Sequence, residues 1–394
     1  MKKLMILGGP EFQIPLIRQA KEMGLYTYVL DMNPQARGAA YADEFIQCSL
    51  KDREKVLAIA KEIMPDGVTV GMCDVAVNSA ALVCRELNLP GLDVETALRA
   101  TDKYLMIQEF EKYNVPHPWY RKLSAEDIPA LSYDFSFPFI SKPVDMAGSR
   151  GINKIECRND AERLMYESLA AGGVNEIIIE EFLDGPEVSV EMLVKDFKPH
   201  VIQITDKYTS GAPHFVELGH SQPSLLPEET RRAVAEVAEK AALALHLNNC
   251  CAHAEIIITA QGPKMVEIGA RMGGDSIQEQ LILYSAGINM SYYSIRFALG
   301  EPIDLPDTKQ NMCSAIRFLK SDRSGVVKAI RNLEEAGKVN GVRQMEVSCQ
   351  VGDEVAPPVD SSGRLGFVIS QAESVEEAVA ACERSIETLE IIVE

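Results

Sequence analysis

The chain has no surplus of positive charge: 39 Lys and Arg stand against 58 Asp and Glu, for a formal net charge of -19. Such a surface repels nucleic acid and anionic membrane, so neither is expected as a partner. It has no apolar run near the roughly 18 residues that span a bilayer. The opening MKKLMILGGPEF sets two lysines before an apolar stretch, but that stretch stops at Gly8 and Glu11 follows, which is too short for a secretory leader. There is no CxxC pair. Nine cysteines are scattered without regular spacing, and Cys250 adjoins Cys251. That pattern suits neither a disulfide framework nor a zinc site, and predicts reduced thiols in a cytoplasmic protein. Tryptophan occurs once, as Trp119 in a proline-rich stretch, where packing is its expected role. The first turn, Gly8-Gly9-Pro10-Glu11, is not GxGxxG, and Pro10 removes an N–H that a pyrophosphate would use, so NAD is not expected. None of this excludes ATP, because a local cluster of Lys, Arg and backbone N–H groups binds phosphate even on an acidic protein.

What is present fits two or three domains in 394 residues, 46% of them hydrophobic. Over 1–100, short apolar runs (Leu4–Leu7, Tyr26–Asp31, Gly67–Val70) alternate with helical patterns (Gln13–Met23, Lys51–Met64, Val75–Leu87). Strands spaced by helices predict a Rossmann-like parallel sheet. A helix is expected over Thr101–Tyr113 and another over Asn159–Ala171, with a β-rich stretch from Asn175 to Asp206. Lys207–Pro227, with its Gly, His, Ser and Pro, reads as a long functional loop. An amphipathic helix over Glu228–Leu245, two strands and two helices ending near Gly300 follow, then a strand-rich tail of mixed α+β character.

Three segments carry chemistry. The first is AHAEIIITAQGPKMVEIGARMGGD, residues 252–275. A turn centred on Gln261 puts Glu255 directly opposite Glu267, with Cβ atoms about 4.5–5.5 Å apart. Arg271 shares the parity of Glu267. Facing carboxylates on apolar strands repel and lose solvation, and a divalent cation with oxygen ligands, Mg²⁺ or Mn²⁺, is the natural compensation. The second is FPFISKP with DMAGSRG, residues 137–143 and 145–151. There an apolar strand delivers Lys142 to a small-residue loop whose backbone can approach phosphate. The third is IIIEEFLDGPEVSV, residues 177–190, where Glu180–Leu183 has the form of a hinge beside an adenine and Glu187 could accept from ribose hydroxyls. Taken singly, the second and third are also compatible with an ordinary strand ending in Lys and with exposed acids on a strand–turn–strand.

Lys103 in TDKYLM, Lys142 before its loop, EEFLDGPEVSVE and Glu255…Glu267-x-x-x-Arg271 stand in the order and spacing of the ATP-grasp superfamily. The resemblance covers roughly residues 1–300. It is strongest to the carboxylate–amine ligases that include the L-amino acid ligases, and weaker to glycinamide ribonucleotide synthetase and biotin carboxylase-like enzymes. It implies an N-terminal domain over 1–100, an ATP-grasp domain over 101–300 with a mobile lid at about 120–183, and a C-terminal α+β domain over 301–394. It implies that Lys103, Lys142, Ser149 and Gly151 serve ATP phosphates, Glu180, Glu181, Phe182 and Leu183 the adenine, and Glu187 the ribose. Glu255 and Glu267 would hold Mg²⁺, while Arg271 and the loop histidine His220 would face the reacting substrate. The implied activity is ADP-forming ligation of a small carboxylate to an amine, in a chain compatible with a homodimer. The alternatives are a purine-pathway-like ligase using glycine or bicarbonate, and a non-catalytic nucleotide-binding regulator. Two departures stand out: Gly269 replaces an Asn common two residues after the second metal-binding Glu, and the phosphate loop has only Gly148 and Gly151.

Overall fold

The computed structural model describes residues 1–394 except Ala147, Ser149, Pro213 and 308–311. The N-terminal part runs β1 (Lys3–Leu7), α1 (Ile14–Glu22), β2 (Tyr26–Asp31), β3 (Glu44–Gln47), α2 (Arg53–Ile63), β4 (Gly67–Val70) and α3 (Asp74–Leu87). Its four strands form a parallel sheet of order β3-β2-β1-β4. β1 is a nearly continuous buried apolar run, as a parallel strand covered on both faces must be. A nucleotide on such a sheet binds in the crevice beyond the strands' carboxyl ends. Here Gln13, fully buried, fills that crevice between Gly8 and Gly71. A Cβ at Gly8 would come within 2.2 Å of the Gln13 amide nitrogen, and one at Gly71 within 2.6 Å of its oxygen.

Two helices follow, α4 (Val94–Arg99) and α5 (Lys103–Lys112). Next comes an antiparallel sheet of β5 (Tyr120–Ser124), β6 (Phe139–Pro143), β7 (Asn153–Ile155) and β8 (Glu176–Glu181), in the order β5-β8-β6-β7, with α6 (Arg158–Ala171) packed on it. Trp119 packs at its edge, its ring 4.7 Å from that of Phe135. The remainder is dominated by one large sheet. Its strands are β9 (Glu187–Lys195), β10 (Lys198–Thr209), β11 (Glu217–Gln222), β12 (Cys250–Thr259) and β13 (Gly262–Gly269), then β14 (Cys313–Leu319), β16 (Val342–Val347) and β18 (Gly366–Ala372). The order is β13-β12-β9-β10-β11-β14-β18-β16, and every adjacent pair is antiparallel. A small sheet of β15 (Gly325–Arg331), β17 (Glu354–Val355) and β19 (Glu390–Val393) closes the C-terminal part. Against the large sheet lies α7 (Glu228–Ala244), burying Val234, Val237, Ala238 and Ala241.

The expectation of a loop over Lys207–Pro227 is corrected. β10 runs on to Thr209, and β11 lies between β10 and β14 with five of its six residues buried. ELGHSQ has little intrinsic strand preference; what holds it extended is hydrogen bonding on both edges, which overrides local propensity.

One contact ties the two ends of the chain together. Arg37 pairs with both Glu11, in the turn after β1, and Glu346 on β16. Burial, helped by a hydrogen bond and the charge of Glu346, pushes the Glu11 carboxyl up from 4.5 to about 7 despite Arg37. A carboxyl whose pKa is raised by folding binds its proton more tightly in the folded state. Its stabilising effect is therefore present at low pH and is lost as pH rises from about 4.5 through about 7. Melting curves at pH 5, 6, 7 and 8 should show a steeper fall in Tm for the wild type than for Glu11→Gln.

Candidate active site

Each predicted functional side chain is placed by a local rule. Asp102 accepts from the backbone N–H groups of Tyr104 and Leu105, which starts α5 at Lys103 and aims that side chain out of the first turn. On β6, Ile140 and Lys142 share a face, as do Ile178 and Glu180 on the neighbouring β8. Lys142 and Glu180 meet as a buried ion pair at 2.7 Å. The chain leaves β8 through Phe182–Pro186 and turns into β9. Gly185 (φ +153°) is what lets this turn press on β12: a Cβ there would lie 2.0 Å from the Ile258 carbonyl oxygen. Gly185→Ala should destabilise the protein by about 1–3 kcal/mol, the scale of overpacking, and should weaken ATP binding as the hinge is displaced. Thermal melting and calorimetry with ATP would check both.

Glu255 on β12 and Glu267 on β13 are directly opposite each other, as the hairpin reading requires. The turn itself is shifted: Thr259 pairs with Gly262, so the tip is Ala260-Gln261. A bulge after Glu255, with Val266 as the extra residue, restores the register of the two glutamates. Cations surround the pair. Lys103 Nζ lies 2.8 Å from Glu267 and donates to the Met146 carbonyl. Lys207 Nζ lies 3.1 Å from Glu255 and also contacts Glu187 and Glu217. Burial works to lower the Lys207 ammonium, but its three carboxylate neighbours outweigh burial and hold it well above the usual lysine range. Burial likewise works to raise Glu255, yet Lys207 and His253 hold that carboxyl well below the usual range. His253, on β12 two residues before Glu255, is a buried and satisfied histidine. It bonds the fully buried Glu191, and although burial alone would lower it, Glu191 raises it to about 9.

Glu255, Glu267 and the lysines beside them line a cavity of about 390 Å³ between the β5–β8 sheet and the large sheet. Lys103, Lys142, Glu180, Glu181, Phe182, Leu183, Glu187, Glu255 and Glu267 all border it. Glu180 and Glu181 are the last residues of β8, so the irregular hinge begins at Phe182. The Glu181 carboxylate is held by Lys264, and its N–H is spent on the Trp119 carbonyl. Ser149 lies outside the described residues. Gly151 is not at the cavity wall; it packs where a Cβ would sit 2.6 Å from that of Ala171.

Arg271 and His220 also stand apart from that cavity's lining. β13 ends at Gly269, and the Arg271 guanidinium forms a two-pronged pair with Asp74 at the start of α3, both contacts 2.8 Å. His220 is not on a loop: it sits in β11, 1% exposed, with Nε2 3.1 Å from Asp275 and, among the described residues, no partner for Nδ1. Arg364 grips the same Asp275 with two bonds of 2.8 Å. Burial opposes ionisation of Asp275, but His220 and Arg364 hold it far below the usual carboxylate range.

Sequence reasoning missed Asp74, which joins Arg271 from the start of α3 in the N-terminal part, and read Lys207 only as the start of a loop. A lone lysine in a polar segment gives no sign that three acids converge on it. Among the described residues no group of three or more acids, histidines or cysteines is arranged to hold a metal. Two facing carboxylates nevertheless fit Mg²⁺, which keeps most of its coordination for water and phosphate oxygens.

Residues 1–90 match the ribonucleotide synthetase preATP-grasp domain, 135–279 the ATP-grasp domain, and 317–394 the L-amino acid ligase C-terminal domain 2. The chain is 28% identical over 279 residues to alanine--anticapsin ligase of Bacillus subtilis, covering 64% of this chain and 58% of that protein. The chain spans between 44% and 64% of three such curated relatives. Its fold is similar to that of the L-amino acid ligase from Bacillus licheniformis (TM-score 0.88, 23% identity, 100% and 99% of the two chains). It is also similar to that of phosphoribosylglycinamide synthetase from Anaerococcus prevotii (TM-score 0.80, 24% identity, 100% of both).

Proposed function

We propose that this chain, whose ATP-grasp domain stands between a preATP-grasp domain and an L-amino acid ligase C-terminal domain, is an ADP-forming ligase that phosphorylates a carboxylate and couples it to an amine. One observation carries the reading: Glu255 faces Glu267, and this pair lines the same cavity as the hinge Phe182–Pro186 and the lysines Lys103, Lys142 and Lys207. That arrangement suits a nucleotide with its base at the hinge and its phosphates at the carboxylates.

The reading assigns roles as follows. Phe182 and Leu183 pack the adenine, and Glu187 accepts from the ribose. Lys103 and Lys142 neutralise phosphate oxygens. Bound between Glu255 and Glu267, Mg²⁺ (or Mn²⁺) would screen the charge of the β- and γ-phosphates. Hydroxide is too poor a leaving group for an amine to displace from a carboxylate, whereas phosphate leaves readily. The protein's share is in-line positioning, charge neutralisation and exclusion of water. Arg271 meets the negative charge that develops on the acyl oxygen, and Asp74 fixes its fork. His220, buried in β11, is a positioning residue that holds Asp275 together with Arg364. The free state of all nine cysteines supports a cytoplasmic setting, and among the described residues no helix is long and apolar enough to cross a membrane.

The test is the product. With the twenty common L-amino acids offered as acids and amines, ³¹P spectra should show acid-dependent release of ADP and inorganic phosphate. AMP and pyrophosphate as stoichiometric products would overturn the mechanism.

A further inference from the structure

A second cavity, of about 280 Å³, opens between the N-terminal sheet domain and the phosphate end of the first. Lys103, Met146, Arg150 and Glu267 border both. Its inner wall carries the Lys103–Glu267 pair and Asp74, the partner of Arg271. The Arg271 guanidinium carbon is 3.2 Å from where a Cβ on the lining residue Gly269 would stand. A molecule in this space therefore touches the surroundings of the predicted acyl phosphate without crossing the nucleotide.

Its outer wall has a different character. Every acid that lines the cavity is already engaged. Asp74 is spent on Arg271 and Glu267 on Lys103, while Asp102 caps α5 and Asp145 accepts from the Gly173 N–H. Two cations, Lys51 and Arg53 where the chain enters α2, have no ion-pair or hydrogen-bond partner for their side chains among the described residues. Asn78, from α3, spends its amide N–H on Thr101, and its enclosed Oδ1 has no donor among the described residues. On a chain of net charge -19, a pocket edged by two unengaged cations is a local attractor for anions. The volume suits a molecule of about amino-acid size, below the usual range of drug-sized sites.

We propose that this cavity receives the amine substrate, and that the amine carries an anionic group, a carboxylate or a phosphate, held by Lys51 and Arg53. The proposal rests on the ligase reading above. With the anion at the rim, the neutral nitrogen reaches the inner wall beside the Lys103–Glu267 pair. The nitrogen lone pair forms the C–N bond and the C–O bond to phosphate breaks. Phosphate leaves with that electron pair, and the nitrogen's surplus proton passes to phosphate or solvent.

The experiment compares wild type, Lys51→Ala/Arg53→Ala and the charge-keeping Lys51→Arg/Arg53→Lys, with the common L-amino acids in turn as acid. Matched amines are glycine against glycinamide and O-phosphoethanolamine against ethanolamine; hydroxylamine serves as a small neutral nucleophile. Wild type should prefer the anionic member of one pair, and which pair does so separates carboxylate from phosphate. The double alanine variant should raise KM for that amine about tenfold or more and lose the preference, with kcat for hydroxylamine and KM for ATP within about twofold of wild type. The charge-keeping variant should restore most of the preference. A double alanine variant that keeps the preference, or loses hydroxylamine turnover in step with it, overturns the assignment. Wild type that releases no ADP with hydroxylamine and any acid fails earlier, at the ligase reading, and takes this inference down with it.

Discussion

Arg271→Ala is expected to lower kcat by roughly 10²–10³-fold, the scale of losing one donor to a developing oxyanion, while ATP affinity changes little. The guanidinium lies off the nucleotide cavity and beside Gly269, so its charge matters most as the amine attacks, in the transition state rather than the ground state. The pair with Asp74 adds a complication. Arg271 is nearly buried, with its side chain 10% exposed, and removing it strands a carboxylate that it alone grips in two places. Asp74 keeps 24% of its side chain exposed, so the cost falls below the ~3–5 kcal/mol of breaking a fully buried pair. Arg271→Ala/Asp74→Asn removes that charge and should recover stability without recovering turnover. Arg271→Lys should rescue only in part, because an ammonium cannot reproduce the fork. Calorimetry with ATP, melting curves and ligation rates on the same preparations separate these effects. Loss of ATP binding in proportion to turnover would make Arg271 a nucleotide residue and sink its assignment to the acyl phosphate.

Glu267→Gln should be comparably severe for a different reason. Only two carboxylates face each other here, so the substitution removes half of the charge available to a divalent cation. Turnover at fixed Mg²⁺ should fall on the order of 10²–10³-fold, and the Mg²⁺ concentration for half-maximal rate should rise. Raising Mg²⁺ should recover part of the Glu267→Gln loss and none of the Arg271→Ala loss. The glutamine keeps the shape, and Lys103 keeps its bond to the Met146 carbonyl, so melting temperature should move little. Normal kinetics in Glu267→Gln would remove the metal assignment.

Much of this site was readable from short-range order. Asp102 before an apolar helical pattern starts α5 at Lys103, and two apolar runs meeting at a turn near Gln261 bring Glu255 and Glu267 close, although the register at the tip is shifted by one residue from the expected one and the bulge at Val266 is what sets them opposite. The hinge could be found because Gly185-Pro186 breaks an otherwise continuous β pattern. What stayed hidden depends on partners far along the chain. Asp74 and Arg271 are brought together by the docking of two domains, and no periodicity in either segment foretells it. The strand identity of Glu217–Gln222, and with it the burial of His220, is imposed by β10 on one edge and β14 on the other. Lys207 sits where three separate strands deliver an acid each, so its weight is invisible to a linear reading.

The seam between β11 and β14 also bears on how the protein comes into being. β14 begins about ninety residues after β11 ends. A ribosome adding roughly 5–20 residues per second therefore leaves β11 without its neighbour for roughly 5–20 s. During that interval the growing chain offers an unpaired strand edge, open to another nascent chain or to a chaperone. His220 lies on that edge, opposite Ile316, so a strand made about ninety residues later is what seals this side of the proposed active site. Slowing translation between the codons for residues 222 and 313 should raise the aggregated fraction, whereas slowing it before residue 217 should not.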